Sequence, residues 1–345
     1  MAAGKKKKKS RLSLYIIIIL LVLGTFALFK VFGPNTGKFL QGNYLYIHTG
    51  WTYGQVKTAL DEGGFISDTY SFDLLAKQAK LPAHIHPGKY KFQEGMSNYD
   101  IIRMLRGVHQ VPVRLVINRL RTVSDFITLL SSNLEADSLS LKEMLHDPAY
   151  LSGFRLDTNT VMCAIIPATY EFKWNTTADK AFRKIEDNYL HFWTPDRRAA
   201  AKSQGLDPVK TTIIASIVDE ESNVNEDKPK IASVYLNRLQ KGMKLQADPT
   251  VKFAVNDFTI RRISGAMLQN TSPYNTYLYQ GLPPGPICTP SLSSVQAVLQ
   301  APKTTYLYFC AKQDFSGYSS FASTYDEQLK NARAYQRALN EKNIH

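Results

Sequence analysis

The run Ile213-Ile214-Ala215-Ser216-Ile217-Val218-Asp219-Glu220-Glu221-Ser222 places three consecutive acids at the end of an otherwise apolar stretch. At about 100° per residue, Ile214, Ile217, Val218 and Glu221 fall at i, i+3, i+4 and i+7 of a helix, so Glu221 lies near the centre of the apolar stripe. Asp219 points roughly the opposite way, and Glu220 lies on a flank. A carboxyl on the buried side loses hydration, which raises its pKa and lets it hold a proton near neutral pH. Such a group is a candidate general acid. The plainer alternative is a helix end whose acids are solvated or satisfied by partners.

The flanking elements have to position that carboxyl. A second helix is predicted from about Lys228 to Lys241, with Pro229 in its first turn and Gly242 at its end. Its apolar face, Ile231, Val234, Tyr235 and Leu239, packs on the Ile214 helix. The segment Met243 to Val251 reads as a loop that returns toward the acids and brings Gln246 and Asp248 near Glu221. Asp248 is either a second acid or a brace for the turn before Pro249. Ser272-Pro273-Tyr274-Asn275-Thr276-Tyr277 and Gly281-Leu282-Pro283-Pro284-Gly285-Pro286-Ile287 read as rigid loops of the kind that line a groove.

The 345 residues suggest two or three units, and 44% hydrophobic residues are ample for a folded core. Net charge is +13, but Lys5 to Lys9 with Arg11 supply six of those charges. The remainder is only mildly basic, which argues against a nucleic-acid partner. Cys163, Cys288 and Cys310 are far apart and odd in number, so neither a disulfide framework nor a close-spaced metal site is indicated. His84 and His86 lack a third ligand and read as surface histidines. No metal or other cofactor is expected.

Leu12 to Phe29 is uncharged and mostly apolar, about 27 Å long as a helix, close to the thickness of a bilayer core. The basic block before it should stay cytoplasmic, leaving the chain after Lys30 outside the cytoplasm; a cleaved signal peptide is the rival reading. Four segments are expected: a basic cytoplasmic tail (1–11), a transmembrane anchor (12–32), a small α+β module (43–108) and a larger mixed α+β domain (111–345). The module contains a strand at Tyr44–Ile47, a capped helix from Thr52, a turn into a strand at His86–Phe92, and a helix from Asn98 closed by Gly107. With Gly88-Lys89-Tyr90 and Gly95-Met96-Ser97, it resembles the LysM-like subdomain of peptidoglycan enzymes. The larger domain opens on the alternating strand 111–117, with Thr122 starting a helix and Thr176 or Thr177 capping another that runs to Trp193.

Ala215 to Glu221, Ala232 to Leu239, Leu245 to Val251, Ser272 to Tyr277 and Gly281 to Ile287 together resemble, in order, the motifs of the YceG/MltG family of membrane-anchored endolytic murein transglycosylases. The resemblance runs from the anchor to near residue 310. It implies an α+β fold with an N-terminal transmembrane helix, a LysM-like subdomain and a catalytic domain. The family's first motif carries two acids one residue apart, aligned here with Asp219 and Glu221; the second is the family's catalytic acid/base. Three departures stand out. Asp219 replaces the usual glutamate, Cys288-Thr289-Pro290-Ser291 stands where an Asn-Pro-Gly turn is common, and Ala164-Ile165-Ile166 replaces a Glu-Gly pair upstream of Pro167.

The resemblance implies cleavage of the MurNAc-β-1,4-GlcNAc bond, with Glu221 protonating the departing oxygen and then taking the proton of the MurNAc C6 hydroxyl as a 1,6-anhydro ring closes. Gln246, Asn275 and Tyr277 are candidates to hold the sugar or orient Glu221; Asp219, Asn237, Asp248 and Tyr274 join them as supporting or substrate-binding candidates. The implied partners are peptidoglycan glycan strands, the inner membrane through 12–32, and peptidoglycan synthases. Two rival readings are a non-enzymatic peptidoglycan-binding scaffold and a hydrolase that pairs Glu221 with Asp219 or Asp248.

Overall fold

A computed structural model describes residues 5–108, 110–260 and 262–342. The first four residues of the basic tail and the last three of the chain lie outside these. The chain forms two compact units, Met1–Val113 with Glu171–Thr176, and Arg114–Tyr170 with Thr177–His345.

The first unit begins with helix α1 (Lys5–Phe32), whose stretch Arg11–Phe32 is long and apolar enough to cross a membrane. Then follow β1 (Tyr44–Ile47), α2 (Tyr53–Glu62), α3 (Thr69–Gln78), β2 (Gly88–Lys91) and α4 (Asn98–Arg106). Strands β1 and β2 pair antiparallel, Tyr44 opposite Lys91 and Ile47 opposite Gly88. Thr52 and Ser97 each form a capping box, with Gln55 and Asp100, which starts α2 and α4 where the sequence expects them. Leu45, Ile47, Val56, Leu60, Phe72, Phe92, Ile101 and Leu105 close a dry core between the strand pair and the helices. Helix α3, which the sequence reading passes over, supplies Phe72 and Ala76 to that core. The segment Glu171–Thr176 returns to this unit through Trp174, whose ring meets those of Tyr46 at 5.0 Å and His48 at 4.9 Å.

Polar contacts fix the exit of α1. Asn98 donates to the Lys30 carbonyl at 2.8 Å and to Ser71 Oγ at 3.1 Å, and accepts from the Asn35 amide at 2.7 Å. Asn35 and Asn98 are both buried, so each bond replaces one that water no longer supplies.

The second unit opens with β3 (Val113–Ile117), whose first residue belongs to the first unit; Val113, Leu115 and Ile117 point inward as the alternation requires. Helices α5 (Val123–Asn133), α6 (Ser138–His146) and α7 (Pro148–Ser152) follow, then β4 (Ala168–Phe172), which pairs with β3. Next come α8 (Ala178–Phe192), α9 (Pro195–Ser203), α10 (Pro208–Glu221), α11 (Lys228–Gln240), α12 (Asp248–Ala254) and α13 (Leu292–Leu299). The hairpin of β5 (Tyr308–Ala311) and β6 (Ser319–Ala322) and the helix α14 (Tyr325–Glu341) complete it. Thr122 forms a capping box with Asp125, and Thr177 caps α8.

Helix α10 is the axis of this unit. Every residue from Thr211 to Asp219 is buried, so α10 has no solvent face along that stretch, unlike the one-sided stripe its period suggests. Helices α11, α12 and α13 pack on it. On α11 the buried residues include Ile231, Val234, Tyr235 and Arg238, and also Lys228, Ala232 and Ser233, whereas Leu239 is only half-buried. The stretch predicted as a loop up to Val251 is corrected here: Asp248 begins α12, because Pro249 in a first turn starts a helix as readily as it shapes a turn.

Asn98→Ala leaves the Asn35 amide and the Lys30 carbonyl buried without this partner. The expected loss is about 1–3 kcal/mol, visible as a lower urea midpoint for the full chain in detergent.

Candidate active site

The three acids at the end of α10 meet three different environments. Asp219 is almost wholly buried. Its Oδ1 accepts from Lys228 Nζ at 3.0 Å and from the hydroxyls of Ser291 and Ser294, while its Oδ2 lies 2.9 Å from Arg119 Nη2. Burial pushes this carboxyl up, but the bonds from Ser291, Ser294 and Lys228 and the Lys228 charge outweigh it, so Asp219 sits below the ordinary carboxylate value. Glu220 is held by Arg119 at 3.3 Å and Arg121 at 3.1 Å. Both acids are anchoring anions.

Glu221 is different. It is half-buried, and its Oε1 accepts a hydrogen bond from the Tyr235 hydroxyl at 2.6 Å. Desolvation pushes its pKa up to about 7; the Tyr235 bond opposes this, the Asp248 charge adds to it, and the Lys252 and Arg238 charges oppose it more weakly. At neutral pH the carboxyl is therefore shared between its acid and base forms, as a group that first gives and then takes a proton requires. Tyr235 itself is fully buried and its hydroxyl is held far from ionisation by burial and by the Glu221 charge, so it acts as a donor.

The surroundings of Glu221 are set by backbone contacts. Arg238 donates to the carbonyls of Leu307 at 2.7 Å and Leu245 at 2.6 Å, tying α11 to the start of the 245–248 segment. Gln246 has φ +50°, a conformation that non-glycine residues seldom adopt, and its N–H donates to the Thr276 carbonyl at 3.1 Å. The Ala247 N–H and the Thr250 hydroxyl both bond Thr276 Oγ1, locking 245–250 onto 272–277. Asp248 is exposed, and its Oδ1 accepts from the Tyr277 hydroxyl at 2.6 Å. At mid-helix, Ser216 Oγ accepts from the Ile287 N–H at 3.0 Å, which seats the 281–287 loop on α10. A Cβ on Gly285 would come within 2.0 Å of the Asn159 carbonyl oxygen, so only glycine permits that seat.

The candidates from sequence therefore fall into groups. Glu221, Asp248 and Tyr277 share one electrostatic neighbourhood; Gln246, two residues before Asp248 in the chain, is exposed, and its side chain makes no hydrogen bond among the described residues. Asn275 is wholly buried and donates to the carbonyls of Leu268 and Asn270, shaping its own loop; a direct sugar contact is not what its geometry offers. Asn237 likewise binds the carbonyls of Thr304 at 3.0 Å and Tyr306 at 2.9 Å, bracing the chain ahead of β5. Tyr274 packs its ring 4.6 Å from that of Phe253. The residues missed are Tyr235, which reads in sequence as one more member of an apolar face, and Arg119, Arg121 and Lys228. The segment Cys288 to Ser291 also proves structural. Thr289 bonds the backbone of Asn118 and Leu120 on either side of Arg119, while Ser291 bonds Asp219.

An α+β protein with an apolar N-terminal helix, built around one carboxyl titrating near neutrality beneath a buried tyrosine, is the class that this fold and site define. Residues 45–334 match the YceG-like family, and the chain belongs to that family. It is 37% identical over 178 residues to an endolytic murein transglycosylase of Bacillus subtilis strain 168, covering 52% of this chain and 49% of that protein. To the endolytic murein transglycosylase of Streptococcus pneumoniae serotype 2 strain D39 it is 25% identical over 292 residues, covering 74% of this chain and 52% of the relative. The chain thus spans about half the length of the curated relatives it matches. The crystal structure of a yceG-like protein from Listeria monocytogenes superposes with a TM-score of 0.55 at 26% identity, covering 83% of this chain and 97% of that one.

Two outcomes follow from the electrostatics. Removing the Tyr235 hydroxyl by Tyr235→Phe should raise the Glu221 pKa and Asp248→Asn should lower it, opposite shifts of one carbon-13 carboxyl resonance under NMR titration. Because the folded value of about 7 exceeds the ordinary 4.5, the stability that Glu221 supplies is full below 4.5 and lost as pH rises through 7. Glu221→Gln should therefore melt above the wild type at about pH 8 and level with it near pH 4, read by calorimetry.

Proposed function

We propose that this chain is an endolytic murein transglycosylase that cleaves MurNAc-β-1,4-GlcNAc bonds within nascent glycan strands. The observation that carries the reading is the carboxyl of Glu221, held near half-protonation by burial and the Tyr235 hydroxyl. Glu221 in its acid form protonates the departing GlcNAc oxygen. The resulting carboxylate, stabilised by the Tyr235 hydrogen bond, then accepts the proton of the MurNAc C6 hydroxyl as that oxygen closes on C1. The nucleophile belongs to the sugar, so no second carboxylate is needed. Asp219 is unsuited to be one, since its oxygens are taken up by Lys228, Arg119, Ser291 and Ser294.

Tyr277, Asp248 and Gln246 supply hydroxyl, carboxylate and amide groups beside the acid, matched to carbohydrate hydroxyl and acetamido groups. Helix α1 anchors the chain in the inner membrane with its basic end cytoplasmic, so that Glu221 works in the periplasm near peptidoglycan synthases; the Lys5–Arg11 block and the span Arg11–Phe32 support this orientation. Residues 43–108 act as the LysM-like subdomain and 111–345 as the catalytic domain.

Mass spectrometry of glycan strands incubated with the full chain in detergent tests the reaction. Anhydro-ended internal fragments are expected from the wild type, and a loss of at least about a hundredfold from Glu221→Gln. Reducing ends would make the protein a hydrolase with Asp248 as partner, and intact strands with both proteins would leave a glycan-binding scaffold.

A further inference from the structure

The first unit carries a cavity of about 650 Å³ at the root of α1. Val31, from the last turn of the apolar span, forms part of its wall, with Leu75 of α3 and Tyr99, Ile102, Arg103 and Arg106 of α4. On α4 the last four occupy one face, at i, i+3, i+4 and i+7. Both arginines are exposed, and neither makes a hydrogen bond or ion pair among the described residues. Asp100, one turn back from Arg103, is engaged by its own capping box, and no acid is among the described residues that line the cavity.

The rim has the composition of a membrane interface. Tyr99 is 48% exposed, and on α3 Tyr70 and Leu74, 81% and 52% exposed, share a face with the cavity-lining Gln78. Large apolar and aromatic groups left in water around the exit of a spanning helix lose that cost when headgroups surround them. The orientation is not left to a flexible tether. Lys30 pairs with Asp68 at 2.6 Å, the Asn98 amide holds the Lys30 carbonyl, and the Phe32 and Tyr99 rings lie 5.5 Å apart.

We propose that this cavity binds the phosphate of an anionic phospholipid, drawn from the membrane that α1 crosses, between Arg103 and Arg106. The inference rests on α1 being a membrane span. The apolar wall of Val31, Leu75 and Ile102 receives the upper acyl chain, and the guanidinium groups receive the phosphate oxygens, as a fork of N–H donors does well. The first unit is thereby seated on the leaflet at a fixed distance, independently of glycan binding.

The test uses the full chain reconstituted into vesicles of equal parts phosphatidylcholine and phosphatidylglycerol, extracted in mild detergent and weighed by native mass spectrometry. The wild type should retain phosphatidylglycerol in preference to phosphatidylcholine. Arg103→Gln/Arg106→Gln should retain roughly tenfold less, and Arg103→Lys/Arg106→Lys should recover part of it. Equal retention of both lipids, or no loss in the glutamine variant, overturns the proposal. So does displacement of the lipid by inorganic phosphate alone, which would make the cavity a free-anion site. A carbonate wash separates the premise from the inference: release of the wild type from the vesicles overturns the membrane span, whereas loss of lipid with the chain still inserted is the result expected of the glutamine variant alone.

Discussion

Lys228 approaches Asp219 to 3.0 Å with both side chains almost completely withdrawn from water. Two desolvated charges are tolerated only if their remaining donors and acceptors are satisfied, and the second unit is arranged to do so. Asp219 receives bonds from Lys228 on α11, from Ser291 and Ser294 at the start of α13, and from Arg119 in the segment after β3. One carboxylate thus fixes where three separate stretches of chain pass the end of α10. The adjoining Thr289 contacts to Asn118 and Leu120 hold Arg119 in register for that purpose.

This arrangement allows the next acid but one to be different. The cations at the end of α10 are engaged by Asp219 and Glu220, while Glu221 on the other side of the helix has a phenol as its hydrogen-bond partner. A phenol stabilises a carboxylate less than a guanidinium does, so desolvation prevails and the proton is held near neutrality. Asp219 and Glu220 provide rigidity, and Glu221, raised by desolvation, is left to exchange its proton near neutral pH. Such a site is costly to the folded state above neutral pH, in line with the general conflict between stability and chemistry.

The helical repeat, which depends on local geometry alone, put Glu221 and Asp219 on different sides of α10, and their partners do differ; it did not show that α10 is buried on every side or that Asp219 is the more deeply buried of the two. Helix caps were legible for the same reason: Thr52, Thr122 and Thr177, the last of these offered beside Thr176, act on residues three positions away, while the Ser97 cap was not read. Partners distant in sequence were not. Arg121 and Glu220 are 99 residues apart, and nothing local announces that they meet. Asn275 read as a group to hold the sugar or orient Glu221 and Asn237 as a supporting or substrate-binding one, because amides serve both sugars and backbone carbonyls, and only the fold shows that both bind carbonyls. Tyr235 was visible as apolar bulk; its hydroxyl gained meaning only once α11 lay against α10.

The first unit is assembled from two separate lengths of chain, because Glu171–Thr176 belongs to it while the flanking residues do not. Trp174 from that short return covers Tyr46 and His48, and Asn175 and Trp174 bind the Gln110 side chain at 2.9 and 3.1 Å. A module closed in this way is not a bead on a string. No single recombination point moves it intact into another protein, and a chain emerging during synthesis completes its small unit only after some sixty residues of the larger one have been made. A cut between the two units in the chain therefore leaves the first one without its last six residues.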